Sequence, residues 1–326
     1  MSDSIFSALK NEVKVSKAFS SIIKQVNKKN GLPVAVFEGC DSFKTAFCAS
    51  LKDELSNPLL ILVHDEKQAR ILKDTLSSFY NNVFVYPSRE FVFDPISSYS
   101  KEIEQERINI ISRLKKNECD ILISVPDAIM QYTVPDDSFI NFSIELNIGS
   151  KKNISELASD LVQMGYKRCD ILEGTGQFSI RGSIVDIFSP AYDKPCRLDY
   201  FDDEIDSMGF FDITDQRRTE NVDKYSVVPV SEIFGIDYSN VVEEINSLLE
   251  NASENGKKIL EKELDSIINE KKLLSADKYF SLIYKRKETV LDYLKDSKVV
   301  IFESKKVFER VKAFEWTTNE TIEALV

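Results

Sequence analysis

The chain has 326 residues, of which 43% are apolar and 29% are charged, and its formal net charge is −12. These values are typical of a soluble globular protein with two or three domains. The acidic balance argues against a broad DNA-binding surface, because phosphates are neutralised by clustered Lys and Arg.

Targeting and redox signals point to the cytoplasm. No apolar run approaches the roughly 20 residues of a membrane helix, and the N-terminus lacks the apolar core of a signal peptide, so we expect no membrane partner. The five cysteines, at positions 40, 48, 119, 169 and 196, show no C-x-x-C spacing. Neither zinc nor a disulfide framework is indicated, and we expect no metal, no cofactor and a reduced, cytoplasmic compartment.

The first part, residues 1–130, alternates short apolar runs with segments of helical periodicity. The helical segments are Thr45–Leu55, Glu66–Phe79 and Glu102–Leu114, and the apolar runs are Val34–Phe37, Leu59–Val63, Val83–Tyr86 and Ile121–Val125. This alternation predicts a parallel sheet with helices on its faces.

Residues 38–45, E-G-C-D-S-F-K-T, follow the first apolar run. Their spacing resembles the phosphate-binding P-loop, G-x-x-x-x-G-K-[ST], with Lys44 and Thr45 in the last two places. Glu38 and Phe43 replace the two glycines. A Glu repels phosphate, and a bulky side chain blocks the close backbone approach that phosphates need. We predict a non-functional nucleotide loop, and a chance Lys-Thr pair is the alternative.

The middle part, 131–225, reads as a helix followed by successive short strands. The helix begins after Asn153 and ends before Gly165, in line with capping rules. The strands are Gln177–Ile180, Ile184–Phe188, Cys196–Phe201 and Ile205–Asp212, joined by turn residues. We predict an antiparallel meander with a helix against it.

The third part, 226–326, contains charge-rich helical segments and one clear strand, Val299–Phe302. One strand is too little for an independent core, so we expect this part to complete the first sheet. The fold class expected is α/β: a degenerate P-loop, RecA- or helicase-like parallel-sheet domain, split by an inserted α+β domain with an antiparallel sheet. The closing stretch TTNETIEALV has no stop signal and is consistent with a boundary inside a longer protein.

A second nucleotide-like element follows that strand. Phe302-Glu303-Ser304-Lys305 stands where a helicase of nucleotide excision repair carries Asp-Glu-Ser-His for magnesium and water. Phe302 replaces the magnesium carboxylate, while Glu303 keeps its place. Two degenerate elements at matching topological positions indicate descent from an ATPase, and we expect no ATP hydrolysis and no enzymatic activity from this chain.

A family resemblance rests on three stretches, 176–190 (GQFSIRGSIVDIFSP), 195–207 (PCRLDYFDDEIDS) and 212–218 (DITDQRR). They resemble the excision-repair-like module at the start of bacterial transcription-repair coupling factors (the Mfd family), which the helicase UvrB shares. The resemblance implies subdomain 1A at 1–130, subdomain 2 at 131–225 and subdomain 1B at 226–326. UvrB would keep its P-loop and a long DNA-binding hairpin, for which Pro87–Lys101 is too short, so the coupling factors match better.

The resemblance also implies a function. Subdomain 2 would dock UvrA, so that UvrA is recruited to stalled transcription complexes in nucleotide excision repair. The domains that bind RNA polymerase and DNA, including the translocase ATPase, would lie beyond Val326. The basic positions that match the shared motif are Arg168 and Arg181, and Ser179 stands where UvrB has a further Arg. Phe188 is a candidate contact, with a core position as the alternative.

The residues themselves support part of this assignment. Arg181 alternates with Phe178 and Ile180, which predicts a solvent-facing position at a turn formed with Gly182. We expect Arg181 and Arg168 to be exposed on one face. An exposed Arg is more often an ordinary surface charge, and the alternative function is a nucleic-acid-binding, UvrB-like remnant helicase domain with weak or no nucleotide binding. The acidic run at 202–206 fits a charged turn better than a calcium loop.

Overall fold

The computed structural model describes residues 2–28, 33–35, 40–90, 101–270, 273 and 279–325. In this part of the chain the helices are α1 Ser2–Lys14, α2 Lys17–Val26, α3 Asp41–Lys52, α4 Glu66–Leu76, α5 Lys101–Lys115, α6 Pro126–Ile129, α7 Asp136–Asn141, α8 Ile154–Gln163, α9 Tyr238–Leu249, α10 Glu254–Glu270, α11 Phe280–Ile283 and α12 Ser304–Leu325. The strands are β1 Leu59–Leu62, β2 Val83–Tyr86, β3 Ile121–Ser124, β4 Tyr132–Thr133, β5 Ile144–Asn147, β6 Lys167–Arg168, β7 Gln177–Arg181, β8 Ile184–Ile187, β9 Cys196–Phe201, β10 Glu204–Phe211, β11 Arg218–Asn221, β12 Lys224–Val227, β13 Glu288–Thr289 and β14 Lys298–Ile301.

The chain divides into two compact units. Unit 1 comprises Met1–Pro87, Leu114–Met130 and Leu294–Thr321, and unit 2 comprises Ser88–Arg113, Gln131–Tyr293 and Ile322–Val326. None of the described helices is both long and apolar enough to cross a membrane.

Unit 1 contains a four-stranded parallel sheet in the order β14-β1-β3-β2. Every residue of the central strands β1 and β3 is buried, because a parallel sheet is covered on both faces and its strands read as continuous apolar runs. The predicted parallel sheet is confirmed, and β14 joins it although more than 170 residues separate it from β3 along the chain.

The helicase-like assignment of this unit is not confirmed. Of the apolar run Val34–Phe37, residues 34 and 35 lie outside any strand, and 36 and 37 lie outside the described residues. A P-loop protein needs a strand that leads directly into the helix bearing its Lys. Within the described ranges, no such strand precedes α3.

Unit 2 is built on a six-stranded sheet in the order β11-β10-β9-β8-β7-β6. Its strands pair antiparallel except for β6 with β7, which are parallel. Helix α8 packs Leu157 and Leu161 into one apolar core with Phe178, Val185 and Leu198. The predicted helix and antiparallel meander are confirmed.

The sequence predicted that the whole of 226–326 completes the first, parallel sheet. In the structure, residues 226–293 lie in unit 2. The reason is local pairing and burial. Strand β12 pairs antiparallel with β5, and Val227 and Val230 lie in the same core as α8. Only β14 and most of α12 lie in unit 1. The division into 1–130, 131–225 and 226–326 stays a prediction.

A buried ion cluster ties helix α5 into unit 2. Arg107 and Glu232 are both fully buried, and the Arg107 guanidinium lies 3.0 Å from Glu232 Oε1. Arg89 Nε lies 2.9 Å from Glu232 Oε2. Gln131 accepts from Arg107 at 3.2 Å and donates to the Arg89 carbonyl at 2.7 Å. The negative charge of Glu232 is therefore compensated away from water, as a buried carboxylate requires.

Candidate functional site

The six-stranded sheet of unit 2 has an inner side, packed against the core, and an outer side. Along β7, Phe178 and Ile180 belong to the core side, so Ser179 and Arg181 project to the outer side. The register brings Ser179, Asp186 and Arg197 side by side. The outer side of the sheet therefore collects the charged residues of β7, β8 and β9.

Arg181 lies at the hairpin that joins β7 and β8. The two-residue loop begins with Gly182 at φ +62°, a conformation that favours glycine. The Arg181 side chain is 43% exposed, and its Nη2 lies 2.6 Å from Oδ2 of Asp186, whose side chain is only 1% exposed. The predicted exposure of Arg181 is confirmed, but Arg181 is also tethered to a buried carboxylate.

Asp186 binds a second arginine. Arg197 Nε donates to Asp186 Oδ1 at 2.7 Å, and Arg197 Nη2 donates to Oδ2 at 2.9 Å. This hydrogen bonding raises the pKa of Arg197. Arg197 also donates to the Gln216 carbonyl at 3.2 Å and lies 4.6 Å above the Phe211 ring. Asp186 is thus the common acceptor of two guanidinium groups.

Arg168 lies on the edge strand β6 and is exposed. In the parallel pairing of β6 with β7, Arg168 is opposite Phe178, and paired residues project to the same side of a sheet. Arg181 follows Phe178 by three positions, so it projects to the opposite side. The expectation that Arg168 and Arg181 share one face is therefore wrong, because the register of β6 places them on different sides.

Phe188 follows β8 on the outer side. Its backbone N–H donates to the Gln177 carbonyl at 3.0 Å, and its carbonyl accepts from Gly176 at 2.8 Å. The side chain is half-buried. Phe188 therefore lies on the same side as Arg181, and part of its surface is open to a partner.

Ser179 stands where UvrB has a further Arg. Ser179 lies on the outer side but is 1% exposed, so the alternation predicted its side of the sheet and not its burial.

The acidic run at 202–206 begins in a turn. Asp202 has φ +60° in the turn between β9 and β10. Asp203 lies in the same turn, whereas Glu204 and Asp206 lie in β10. Within the described ranges, no group of His, Cys, Asp and Glu could hold a metal ion.

The nucleotide-like loop lies at the start of α3, with Glu38 outside the described residues. Lys44 Nζ lies 3.1 Å from Asp41 Oδ1 and 5.9 Å from the centre of the Phe302 ring. The Thr45 hydroxyl donates to the Asp41 carbonyl at 2.9 Å. Phe43 is partly exposed, with its ring 6.3 Å from that of Phe47. The polar groups of Lys44 and Thr45 thus have partners within their own helix.

The second element lies at the carboxyl end of β14, next to the first. Phe302 is buried, and its N–H donates to the Leu62 carbonyl at 2.9 Å. Glu303 binds Lys306 at 2.7 Å and lies 3.5 Å from His64 Nδ1. The bond from Lys306 lowers the pKa of Glu303. The structure therefore brings Lys44 and Phe302 together.

Sequence reasoning missed Asp186 and Arg197, although a signal was present. In a hairpin with the two-residue loop Gly182-Ser183, Asp186 must lie opposite Ser179, one diagonal step from Arg181. It also missed the buried pair Arg107 and Glu232. Both are charged residues in otherwise ordinary segments, and no local pattern joins positions 125 apart.

A family comparison finds a match for this sheet domain. Residues 144–233 match the family model of the UvrB interaction domain. That range begins at β5, ends just beyond β12, and includes α8 and all six strands of the outer-side surface. The charged outer side therefore lies within the matched range.

Transcription-repair-coupling factors are among the full-length proteins that this chain resembles. The factor of Bacillus subtilis is 29% identical over 305 residues, which cover 89% of this chain and 26% of that protein. The factor of Staphylococcus aureus strain MRSA252 is 25% identical over 84% of this chain and 24% of its own length. That of Staphylococcus haemolyticus is 25% identical over 85% of this chain and 24% of its length.

These similarities confirm the resemblance seen in residues 176–218 and support an N-terminal, UvrB-like module of the coupling-factor type. The chain spans about a quarter of the length of these relatives.

Proposed function

We propose that this chain is a non-catalytic interaction module that recruits UvrA to stalled transcription complexes in nucleotide excision repair. The observation that carries the proposal is the match of residues 144–233 to the UvrB interaction domain. Within that range, an exposed arginine is paired with a buried carboxylate. Arginine is well suited to such contacts, because its planar fork pairs with carboxylates through two parallel hydrogen bonds.

The docking surface that we propose comprises Arg181, Phe188 and Arg168. Arg181 and Phe188 lie on the outer side of the sheet, and Arg168 lies on its edge strand, β6. Since β6 is the edge strand next to β7, a partner that covers this edge can reach residues from both sides. Arg168 and Arg181 would then contact different parts of UvrA.

The proposal assigns no ATP turnover to this chain. Lys44 is paired with Asp41, the Thr45 hydroxyl is bonded to its own helix, and Phe302 occupies the position of a magnesium carboxylate. Phosphate binding would require Lys44 to leave Asp41 and a magnesium ion to find other ligands. RNA polymerase binding and DNA translocation would belong to other domains of a longer, cytoplasmic protein.

The test is capture of purified UvrA by the 326-residue chain. Arg181→Ala, Arg168→Ala and the double variant should weaken capture, since truncating one partner of a buried charge pair at an interface costs about 2–5 kcal/mol. Arg181→Glu is a poorer test than Arg181→Ala, because the new carboxylate would lie beside Asp186. Like charges at that distance would destabilise the sheet itself.

A matched control is Arg217→Ala. Arg217 is highly exposed and lies next to β11, the edge of the same sheet farthest from β6. It should capture UvrA like the wild type. Melting curves of all variants should be recorded in parallel. Undiminished capture by the double variant would rule out this docking surface.

A second candidate, a nucleic-acid-binding remnant helicase domain, is favoured by one observation. Lys44, Phe302 and Glu303 lie together at the carboxyl ends of the parallel strands, where ligands of such sheets bind. Fluorescence anisotropy with labelled DNA separates the candidates. Binding at physiological salt that Lys44→Ala abolishes, without capture of UvrA, would favour the remnant helicase.

A further inference from the structure

We infer that Asp186 is a positioning residue of the docking surface: it fixes the Arg181 guanidinium so that the unused donors of that group face a carboxylate on the partner. The inference rests on the proposed function and adds to it. Asp186 itself is almost completely buried, so it acts through Arg181 and does not contact the partner.

The first support is the completeness of the contacts around Asp186. Its Oδ1 accepts from Arg197 Nε at 2.7 Å. Its Oδ2 accepts from Arg181 Nη2 at 2.6 Å and from Arg197 Nη2 at 2.9 Å. A carboxylate closed to water is stable only when it is well paired. Movement of Arg181 would therefore remove one of the two donors to Oδ2 of this buried carboxylate.

The second support is that the other arginine is itself immobilised. Arg197 donates to the Gln216 carbonyl at 3.2 Å and to Gln216 Oε1 at 3.3 Å. Gln216 is held at φ +61°, an unfavourable conformation for a non-glycine residue that persists only when neighbours fix it. Asp186 is thus anchored through Arg197 to the turn before β11, and Arg181 is anchored to Asp186.

The third support is the set of donors that Arg181 keeps free. A guanidinium has five N–H donors in a planar fork, and Nη2 of Arg181 is bound to Asp186. Among the described residues, no other partner is found for this side chain, which is 43% exposed. Nη2 carries two N–H donors, and the bond to Asp186 uses one of them. The other, together with a neighbouring donor on Nε or Nη1, has the spacing that binds a carboxylate through two hydrogen bonds. The partner group that fits is an Asp or Glu side chain.

Prior ordering of a long side chain lowers the entropy lost on binding. Without Asp186, Arg181 would have to be ordered by the partner alone. We therefore expect Asp186→Asn to weaken binding of UvrA by about two- to tenfold, mainly through faster dissociation.

The experiment is a double-mutant cycle on UvrA binding by the full chain, measured by surface plasmon resonance. The variants are Asp186→Asn, Arg181→Ala and their combination. In the Arg181→Ala background, Asp186→Asn should cause no further loss, because its effect on binding passes through Arg181. A carboxylate that merely stabilises the fold would weaken both backgrounds equally. The matched control is Asp199→Asn, which removes an outer-side carboxylate paired with Arg218 and should leave binding unchanged.

A second measurement uses the wild-type chain alone, without UvrA and without any variant. In ¹⁵N-NMR spectra of the wild-type chain, the Arg181 Nε–H should show a high order parameter and slow rotation about Nε–Cζ. A freely rotating Arg181 guanidinium in the wild type would overturn the inference, whatever the variants do.

The outcomes separate this inference from the proposed function. If Arg181→Ala weakens UvrA binding while Asp186→Asn binds like the wild type, the positioning role is wrong and the docking surface stands. Equal losses from Asp186→Asn in both backgrounds would also contradict the positioning role. If Arg181→Ala binds like the wild type, the docking surface is wrong, and the role of Asp186 is wrong with it.

Discussion

The Arg107 guanidinium donates from Nε to both carboxylate oxygens of Glu232 at 3.1 Å, although the two residues are 125 positions apart. Both side chains are fully buried. The pair joins helix α5 to the segment that follows β12, so one hydrogen-bonded contact connects two distant stretches of unit 2. The contribution of this pair to the free energy of unfolding can be measured with a single substitution.

Arg107→Met should destabilise unit 2, because it leaves Glu232 with a buried charge and only part of its compensation. Breaking a buried pair costs about 3–5 kcal/mol, and the remaining Arg89 contact places the expected loss near the lower limit. Urea denaturation measures it. Lys152→Met is the control, since the Lys152–Asp160 pair is partly exposed and such pairs contribute little. Equal losses of stability from the two substitutions would show that the buried cluster contributes no more than a partly exposed ion pair.

The carboxylate of Asp53 predicts an acid-sensitive contribution in unit 1. Burial alone would raise the pKa of Asp53, but hydrogen bonds from Lys14, Tyr80 and Lys10 outweigh it and lower that pKa. A pKa that is depressed in the folded state stabilises the protein above the ordinary value of 3.8 and loses that effect as the pH falls. Asp53→Asn should therefore lower the free energy of unfolding at pH 7, and its difference from the wild type should shrink as the pH falls below 3.8.

Unfolding followed from pH 7 to pH 2.5 tests this dependence on Asp53. Asp74→Asn, at an exposed position of α4, is the control and should follow the wild type throughout. A gap between wild type and Asp53→Asn that stays constant with pH would show that the carboxylate acts by packing and not by charge.

Nucleotide should not bind to the degenerate loop. A ligand at 100 times its Kd stabilises a protein by about 2.7 kcal/mol, so a micromolar site would raise the melting temperature clearly at millimolar ATP. We expect no shift with ATP and magnesium, because Lys44 is paired with Asp41 and Phe302 offers no carboxylate. A shift, or ATP turnover, that disappears in Lys44→Ala would contradict the expectation.

A domain that ends at residue 225 should be too short to fold stably on its own. A segment ending there loses Val227 and Val230 from the core, and it loses the Val228 carbonyl that accepts from the Tyr166 hydroxyl at 2.7 Å. Burial of one Val is worth about 1.5–3 kcal/mol. Residues 131–233 should give a dispersed amide NMR spectrum, and residues 131–225 a poorer one. Equal dispersion of the two spectra would show that β12 is dispensable.

Much of the sheet structure could be predicted from periodicity. Apolar runs became β1, β2 and β3 because a sheet covered on both faces needs continuous apolar strands. Strand β6 could not be predicted, because its two residues, Lys167 and Arg168, carry no apolar signal. The parallel register of β6 with β7 was hidden for the same reason, and with it the side on which Arg168 lies.

The candidate site was predictable where it depended on local geometry. The alternation along β7 gave the exposure of Arg181, and the glycine gave the turn. The partner of Arg181 is a buried carboxylate whose role depends on β9, because Arg197 shares it. The location of residues 226–293 in unit 2 likewise depends on the pairing of β12 with β5, some 80 positions earlier, and periodicity carries no information on such distant pairing.

The separation of Arg107 from Glu232 has a consequence during synthesis. Chains emerge N-terminal residue first, at about 5–20 residues per second. Helix α5 is therefore made roughly 6–25 seconds before the residue that neutralises Arg107 exists, given a separation of 125 positions. During that interval a cation destined for the interior must stay hydrated, so α5 cannot take its final place. Unit 2 can close only after translation has passed β12, and a ribosome that stops earlier carries an unfinished domain.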